Sequence, residues 1–136
     1  MQFIEKSFKV NTTKRNEFID ITQEVEKFVK FSKIEAGDVI VFCPHTTAAI
    51  TINENADPDV VHDLIHTLEK LIPHKDGSYL HGEGNSDAHL KSSLVGVSEQ
   101  ILIKDGAMQL GTWQGIYFCE FDGPRSRSVM VQVRGE

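Results

Sequence analysis

Residues 38–43 read Asp-Val-Ile-Val-Phe-Cys, a segment that is apolar from Val39 onward and in which β-branched side chains are frequent. Such a run is typical of a central β-strand that is buried on both faces. Pro44 ends it, because proline has no amide proton to donate to a sheet. A chain with this segment must build a sheet around it and cover both of its faces.

Strand patterns recur on both sides of this run. Residues 4–10 alternate apolar and polar side chains, as a half-buried strand does. Near the other terminus Val129, Val131 and Val133 share one face of a strand over residues 126–134. Turn residues Asp105-Gly106 predict a hairpin. Further strands are predicted over residues 48–53, 100–103, 108–112 and 115–121, which gives about seven in all, and residues 17–21 could return as another.

Helical patterns separate some of these strands. Thr22 is positioned to cap a first helix. Acidic residues and a proline at positions 57–59 are a strong start signal for a second helix. A third, short helix is expected over residues 90–95, ended by Gly96. The second helix carries an apolar stripe that we expect to be buried, formed by Val61, Leu64, Ile65, Leu68 and Ile72.

These elements predict an α+β fold with a single domain over residues 1–136. Its core is one mixed or antiparallel β-sheet with two or three helices on one face. The other face of the sheet also needs cover, which a second subunit would provide. The 136 residues and 40% hydrophobic content fit one domain.

Charge and composition exclude several classes of function. The formal charge is −6, and the one basic cluster is Arg125-Ser126-Arg127. Nucleic-acid binding depends on neutralising phosphates, so we expect no nucleic-acid partner and favour a small anionic ligand. No apolar run approaches the roughly 20 residues of a membrane span, and the first residues lack a signal-peptide pattern. We expect a cytoplasmic protein without a membrane partner, with Cys43 and Cys119 as buried free thiols.

The loop over residues 81–89 has the composition of a binding site. His81 and His89 enclose glycine, amide, hydroxyl and carboxylate groups, and imidazole is the commonest metal ligand. Glu83 and Asp87 could hold the two imidazoles through their second ring nitrogens. Catalytic zinc normally takes three protein ligands, and His45, at the end of a predicted central strand, is our third candidate. The alternative is that these histidines only donate or accept hydrogen bonds.

A second histidine pair lies on the predicted second helix. His62 and His66 have the spacing of a zincin helix, but Asp63 stands where the general base Glu would be. We interpret this pair as solvated residues of the helix rather than as the catalytic site.

Other polar residues are candidates for substrate contacts. Thr46 and Thr47 follow His45 and could orient a phosphate, or simply hydrogen-bond the backbone in a turn. Glu54 could act as a general base or an acidic metal ligand, or be a solvated strand end. Trp113 could stack on a heterocycle while Gln114 bonds its edge, or Trp113 could belong to the core or to a subunit interface.

Arg125 could contact phosphate or carboxylate through two hydrogen bonds. A salt bridge to Glu120 or Asp122 is the alternative. Asn85 and Lys91 are further candidates for substrate binding, and Asp87 is a candidate for proton transfer or for support of the metal ligands.

Five blocks of residues resemble the YjbQ family, whose members are described as secondary thiamine-phosphate synthases. The resemblance covers essentially the whole chain without a departure inside the blocks. They are residues 45–49, 53–58, 84–91, 111–116 and 120–125.

The resemblance implies a compact α+β subunit that assembles as a homotrimer. It also implies a metal pocket built from motif histidines, here His45, His81 and His89, and a weak thiamine-phosphate synthase activity. That activity joins a pyrimidine diphosphate to a thiazole phosphate and releases pyrophosphate. Zinc is the expected metal, with magnesium as the alternative for a diphosphate substrate.

Three functions therefore remain open. The first is a metal-dependent transferase acting on a small phosphorylated or heterocyclic substrate. The second is a metal-dependent hydrolase of a small phosphorylated substrate. The third is a non-catalytic binding protein whose metal stabilises a trimeric assembly.

Overall fold

The computed structural model describes residues 1–136 and contains eight strands and three helices. In chain order they are β1 Gln2–Asn11, β2 Glu17–Asp20, α1 Thr22–Ser32, β3 Ala36–Phe42, β4 Ala48–Glu54, α2 Pro58–Leu71, α3 Ser86–Val95, β5 Ser98–Lys104, β6 Ala107–Met108, β7 Gln114–Glu120 and β8 Ser126–Gly135.

The strands form two antiparallel sheets. The larger has the order β1-β8-β3-β5-β6 and the smaller the order β2-β7-β4. The predicted α+β class, the single domain and the antiparallel pairing are confirmed. The prediction of one sheet was wrong, because strands that are neighbours in sequence, such as β3 and β4, belong to different sheets.

The main core lies between the two sheets. It is built by alternate residues of each strand, since successive side chains of a strand point to opposite faces. The larger sheet contributes Val39, Val41 and the predicted Val129-Val131-Val133 face, and the smaller sheet contributes Ile50 and Phe118. The apolar face of α1 closes this core with Val25, Phe28 and Val29, as predicted.

The prediction that residues 38–43 are buried on both faces was wrong for the single chain. Val39, Val41 and Cys43 are buried, but Ile40 and Phe42 lie on the outer face of the larger sheet, where they are partly exposed. No helix covers that face. Both cysteines are buried free thiols, as expected, and burial raises the pKa of Cys43 to about 11.

The helices α2 and α3 lie on the outer side of the smaller sheet. Ala88 of α3 and the half-buried Val61 and Leu68 of α2 pack with Ala49, Tyr117, Cys119 and Phe121. Asp57 caps α2 through the Asp59 amide, as predicted. The predicted apolar stripe of α2 faces the smaller sheet, but no residue of this helix is buried.

Two helix starts differ from the predictions. Thr22 is the first residue of α1 rather than its cap, and its hydroxyl accepts a hydrogen bond from the Ile116 amide. The third helix begins at Ser86, four residues before the predicted start. The Asp105-Gly106 hairpin is confirmed, and both residues have positive φ. None of the three helices is both long and apolar enough to span a membrane.

Candidate functional site

Four connecting segments meet where β7 ends at Glu120, a region called here the Glu120 end. They are the β1–β2 loop, the β3–β4 connection, the loop before α3 with the start of that helix, and the β7–β8 turn. Gly123 permits this close approach, because a Cβ at this position would lie 2.2 Å from the Lys14 carbonyl oxygen. The Glu120 end therefore collects polar side chains from distant parts of the sequence.

A buried ion pair lies at the base of the Glu120 end. Arg127 donates to both carboxylate oxygens of Glu120, with Nε at 2.9 Å from Oε1. Thr12 adds a 2.7 Å hydrogen bond, and Arg127 also donates to the Thr47 hydroxyl at 2.8 Å. Burial alone would raise the pKa of Glu120. The hydrogen bonds from Arg127, Thr12 and the Asp122 amide lower it by more, so the pKa lies below its ordinary value. Glu120 is therefore an ionised structural carboxylate.

A second ion network joins α3 to the β1–β2 loop. Arg15 donates two 2.9 Å hydrogen bonds to the two oxygens of Asp87. The three protons of Lys91 are directed at Asn16, Glu69 and Asp87. Asp87 and Lys91 are completely buried. Burial alone would raise the pKa of Asp87. The hydrogen bonds from Arg15 and Lys91 lower it by more, so the pKa lies below its ordinary value.

This network places two predicted site residues in the supporting structure. Lys91 has no proton left for a substrate phosphate. Asp87 is held by two cations, so it neither contacts the loop imidazoles as expected nor offers a free base. Both side chains instead fix α3 against the β1–β2 loop.

Asn85, at the start of α3, connects the loop to the β7–β8 turn. Its amide nitrogen donates to Asp122 at 2.9 Å, and Asp122 also accepts from Nη2 of Arg125 at 2.9 Å. The amide oxygen Oδ1 of Asn85 is buried and has no hydrogen-bond partner. Buried polar atoms are rarely left unpaired, so this oxygen marks a position where a donor or a cation would be accommodated.

The two loop histidines lie against each other beside this helix start. The rings of His81 and His89 are edge to face, with centroids 5.3 Å apart. The carboxylate of Glu83 lies 3.7 Å from Nε2 of His81. His74, which the sequence reasoning missed, bonds the Gly84 carbonyl at 2.9 Å. The two imidazoles are therefore neighbours at the start of α3.

His45 is engaged elsewhere. Its Nε2 accepts a 2.9 Å hydrogen bond from the Ser128 amide. Burial and the neighbouring Arg127 charge lower the pKa of His45 below its ordinary value of 6.5, so the ring is a neutral acceptor. No set of three or more His, Cys, Asp or Glu side chains is arranged around a common metal position, and the expected three-histidine set is not assembled in this chain.

Three other predicted residues lie at the opposite end of the smaller sheet. Glu54 pairs with Gln114 at the far end of β4 and β7, whereas Ala48 pairs with Glu120. Six residue steps along a strand span about 20 Å. Trp113, next to Gln114, is 62% exposed. The side chain of Gln114 accepts a hydrogen bond from the Gly111 amide.

The remaining predicted residues lie at the Glu120 end. Thr46 is exposed, whereas Thr47 is buried and bonded to Arg127. Arg125 forms a salt bridge with Asp122, which was one of the two alternatives predicted for it. About half of its side chain remains exposed. Sequence reasoning did not single out Arg15, Glu69 or Arg127 as site residues. Their partners lie between 7 and 72 positions away in sequence, and no local pattern signals such pairs.

Comparisons with known proteins agree on one family. The sequence model of the family described as "UPF0047 protein YjbQ-like" matches residues 6–136. The UPF0047 protein YugU of Bacillus subtilis is 51% identical over 96% of this chain and 98% of that protein. The UPF0047 protein MJ1081 of Methanocaldococcus jannaschii is 54% identical, over 95% of this chain and 93% of that protein.

Solved structures show the same fold. A crystal structure of an uncharacterised YjbQ/UPF0047 protein from Clostridium acetobutylicum has a TM-score of 0.93 at 54% identity, covering 95% of this chain and 99% of that one. A protein of unknown function from Sulfolobus solfataricus has a TM-score of 0.96 at 31% identity, covering 99% of both chains.

Proposed function

The chain belongs to the UPF0047 YjbQ-like family, and we propose that it is a metal-dependent enzyme acting on a small phosphorylated substrate. One observation carries this proposal. The imidazoles of His81 and His89 are adjacent at the start of α3, the helix that begins after the unpaired oxygen of Asn85. His89 lies on α3, which the buried ion pairs of Asp87 hold in place, and a side chain on such a fixed element is a rigid support for a cation.

The donor atoms favour zinc over magnesium. Imidazole nitrogen suits zinc, whereas magnesium prefers oxygen ligands and retains its waters. His81 and His89 would hold the ion, and the predicted ligand His45 would have to release the Ser128 amide to join them. When bound, the metal would polarise a phosphoryl oxygen or activate a water.

The residues around the pair would bind and orient the substrate. Arg125 uses Nε and Nη2 on Asp122, which leaves Nη1 free to donate to a phosphate oxygen. The Oδ1 of Asn85 would accept a hydrogen bond from a substrate N–H or O–H group, and Thr46 offers an exposed hydroxyl at the same end. Asp87 and Lys91 would act only by positioning α3.

Transfer is the first reaction to test. In the thiamine-phosphate synthase reaction, the ring nitrogen of a thiazole phosphate forms a bond to the methylene carbon of a pyrimidine diphosphate. The carbon–oxygen bond to the diphosphate breaks, and pyrophosphate leaves with the bonding electrons. Hydrolysis of a small phosphorylated substrate is the alternative, in which water attacks phosphorus, the ester phosphorus–oxygen bond breaks, and the alcohol leaves with a proton from the water.

We also propose that the enzyme is a homotrimer. The outer face of the larger sheet exposes apolar side chains, and a groove of about 450 Å³ runs between Ile40, Phe42 and Met130. Contiguous exposed apolar surface of this kind marks interaction sites. A neighbouring subunit would also be the source of Glu54, Trp113 and Gln114 if these residues act at the Glu120 end, because within one chain they lie at the other end of the sheet.

The test compares wild type with His81→Ala, His89→Ala and, as a matched control, His62→Ala. We expect formation of thiamine phosphate from the two substrates with wild type and the control, and loss of at least tenfold with either loop variant, as for loss of a metal ligand. Complementation of a thiamine-requiring strain gives a second measurement. Equal rescue by wild type and His81→Ala would contradict a metal-dependent synthase.

A chelator separates catalysis from a structural metal. The second candidate is a metal that only stabilises a trimer. Asp87, which could close such a site as a fourth ligand, is already paired with Lys91. Loss of turnover at unchanged melting temperature supports the enzyme. Loss of melting temperature and of assembly supports the structural metal.

A further inference from the structure

The polar face of α2 carries a histidine pair that the proposed enzyme does not use. His62 and His66 are one turn apart and both are exposed. Their rings are nearly parallel, with an interplanar angle of 6° and centroids 6.0 Å apart. Side chains at positions i and i+4 of a helix project from the same face. The two rings therefore face one shared volume of solvent.

A carboxylate orients one of these rings. Nδ1 of His62 lies 3.2 Å from Oδ1 of Asp63. A carboxylate can only accept a hydrogen bond, so this contact favours the tautomer with the proton on Nδ1 and the lone pair on Nε2, as in histidines that bind metals. It also occupies Asp63, so this residue does not serve as the general base of a zincin motif.

We propose that His62 and His66 form a two-histidine site for a borderline divalent transition metal. Two imidazoles on adjacent turns bind one ion in other metalloprotein helices. Water completes the coordination, because no third His, Cys, Asp or Glu side chain is placed to join. Among divalent ions Cu²⁺ binds nitrogen ligands most tightly, ahead of Ni²⁺ and Zn²⁺. The site is independent of the proposed enzyme and of the His81–His89 pair.

Metal at this site acts on the stability of α2. The helix has no buried residue, so packing holds it weakly and local opening is expected. An ion that bridges two successive turns binds only the helical form, and a ligand that binds only the folded form stabilises it. Bound metal therefore clamps the second and third turns of α2.

The experiment titrates Cu²⁺ into the full chain and counts bound ions, with amide hydrogen exchange of α2 as a second measurement. The test variant is His62→Ala/His66→Ala, in which alanine preserves helix formation. The control His66→Ala/Thr67→His keeps two histidines but places them on different faces of the helix. A second control, His81→Ala/His89→Ala, removes only the loop pair.

We expect one Cu²⁺ to be lost in the test variant and in the Thr67→His control, but retained in the loop variant. Exchange of the α2 amides slows with metal in wild type and in the loop variant alone. The proposal is overturned if the test variant binds as much Cu²⁺ as wild type, or if its α2 amides gain equal protection. If His81 and His89 bind no metal, the metal site of the proposed function fails. The loss of Cu²⁺ in the His62→Ala/His66→Ala variant would still be expected.

Discussion

Glu120 and Arg127 form a buried ion pair. Removing either side chain leaves the charge of the other without a partner. The pKa of Glu120 lies below its ordinary value of 4.5. The ion pair therefore contributes its full stabilisation above pH 4.5, and this stabilisation is lost as the pH falls through the depressed pKa. We expect Glu120→Gln to lower the free energy of unfolding by about 3–5 kcal/mol at pH 7, because Arg127 stays charged and buried.

The difference between wild type and Glu120→Gln should stay constant from pH 7 to about 4.5 and narrow below that pH, because the unfolded wild-type chain binds a proton at Glu120 before the folded chain does. Urea denaturation across this range measures it. The exposed Glu26→Gln serves as control, with a change within about 0.5 kcal/mol. A difference that stays constant between pH 4.5 and pH 3 would contradict a depressed pKa of Glu120.

His45 offers a separate residue-level prediction. Because burial and the charge of Arg127 lower its pKa, its imidazole should titrate with a midpoint below 6.5 in an NMR experiment. As the ring gains a proton it can no longer accept from the Ser128 amide, so that amide resonance should shift over the same pH range. A midpoint above 6.5 would instead indicate that His45 lies near an unscreened carboxylate.

Sequence reasoning at this scale expected His81 and His89 to lie near one another, as they do, but misjudged the charged residues. His81 precedes α3 and His89 lies in its first turn, only eight positions later, so their proximity is a local property. Arg125 and Arg127 look equivalent in sequence. They differ because Arg127 lies within β8 and faces inward, whereas Arg125 lies in the turn. Only the strand register decides which arginine is buried.

At the scale of elements, the β1–β2 loop and α3 depend on one another. Arg15 is the cation that ties the loop to buried Asp87. We expect Arg15→Met to lower the free energy of unfolding by about 1–3 kcal/mol, because Asp87 loses two charged hydrogen bonds but keeps Lys91. The neighbouring exposed Lys14→Met is the matched control, with a change within about 0.5 kcal/mol. Equal effects of the two variants would contradict the proposed tie.

Elements with local signals were predicted well. The start of α2 follows from Asp57 and Pro58, and the β5–β6 turn follows from Asp105-Gly106. The start of α3 was missed because its buried face is largely polar, with Asp87, Lys91 and Ser92. Apolar periodicity cannot reveal a helix that is held by ion pairs.

At the scale of the whole molecule, the uncovered face of the larger sheet predicts association. We expect light scattering to give about three times the 15.3 kDa chain mass. Met130→Lys places a charge on that face and should yield smaller species. Phe31→Lys alters an apolar side chain that is 74% exposed on α1 and serves as the control. A monomeric wild type, or equal dissociation by both variants, would contradict this interface.

The two-sheet arrangement could not be predicted from strand patterns alone. An apolar run such as residues 38–43 is compatible with cover on both faces, but it does not say whether helices, a second sheet or another subunit provides that cover. In the structure, the smaller sheet covers the inner face of this strand. On the outer face Ile40 and Phe42 stay partly exposed in the single chain, and the proposed trimer would supply their cover.

The most direct test of the proposed enzyme is a crystal structure of the protein with zinc, in which anomalous scattering assigns the metal. We predict an anomalous peak bound by nitrogens of both His81 and His89, with zinc–nitrogen distances of about 2.0–2.1 Å. An anomalous map with zinc only at His62 and His66, or with no peak at the loop pair, would contradict the metal site on which the proposed function rests.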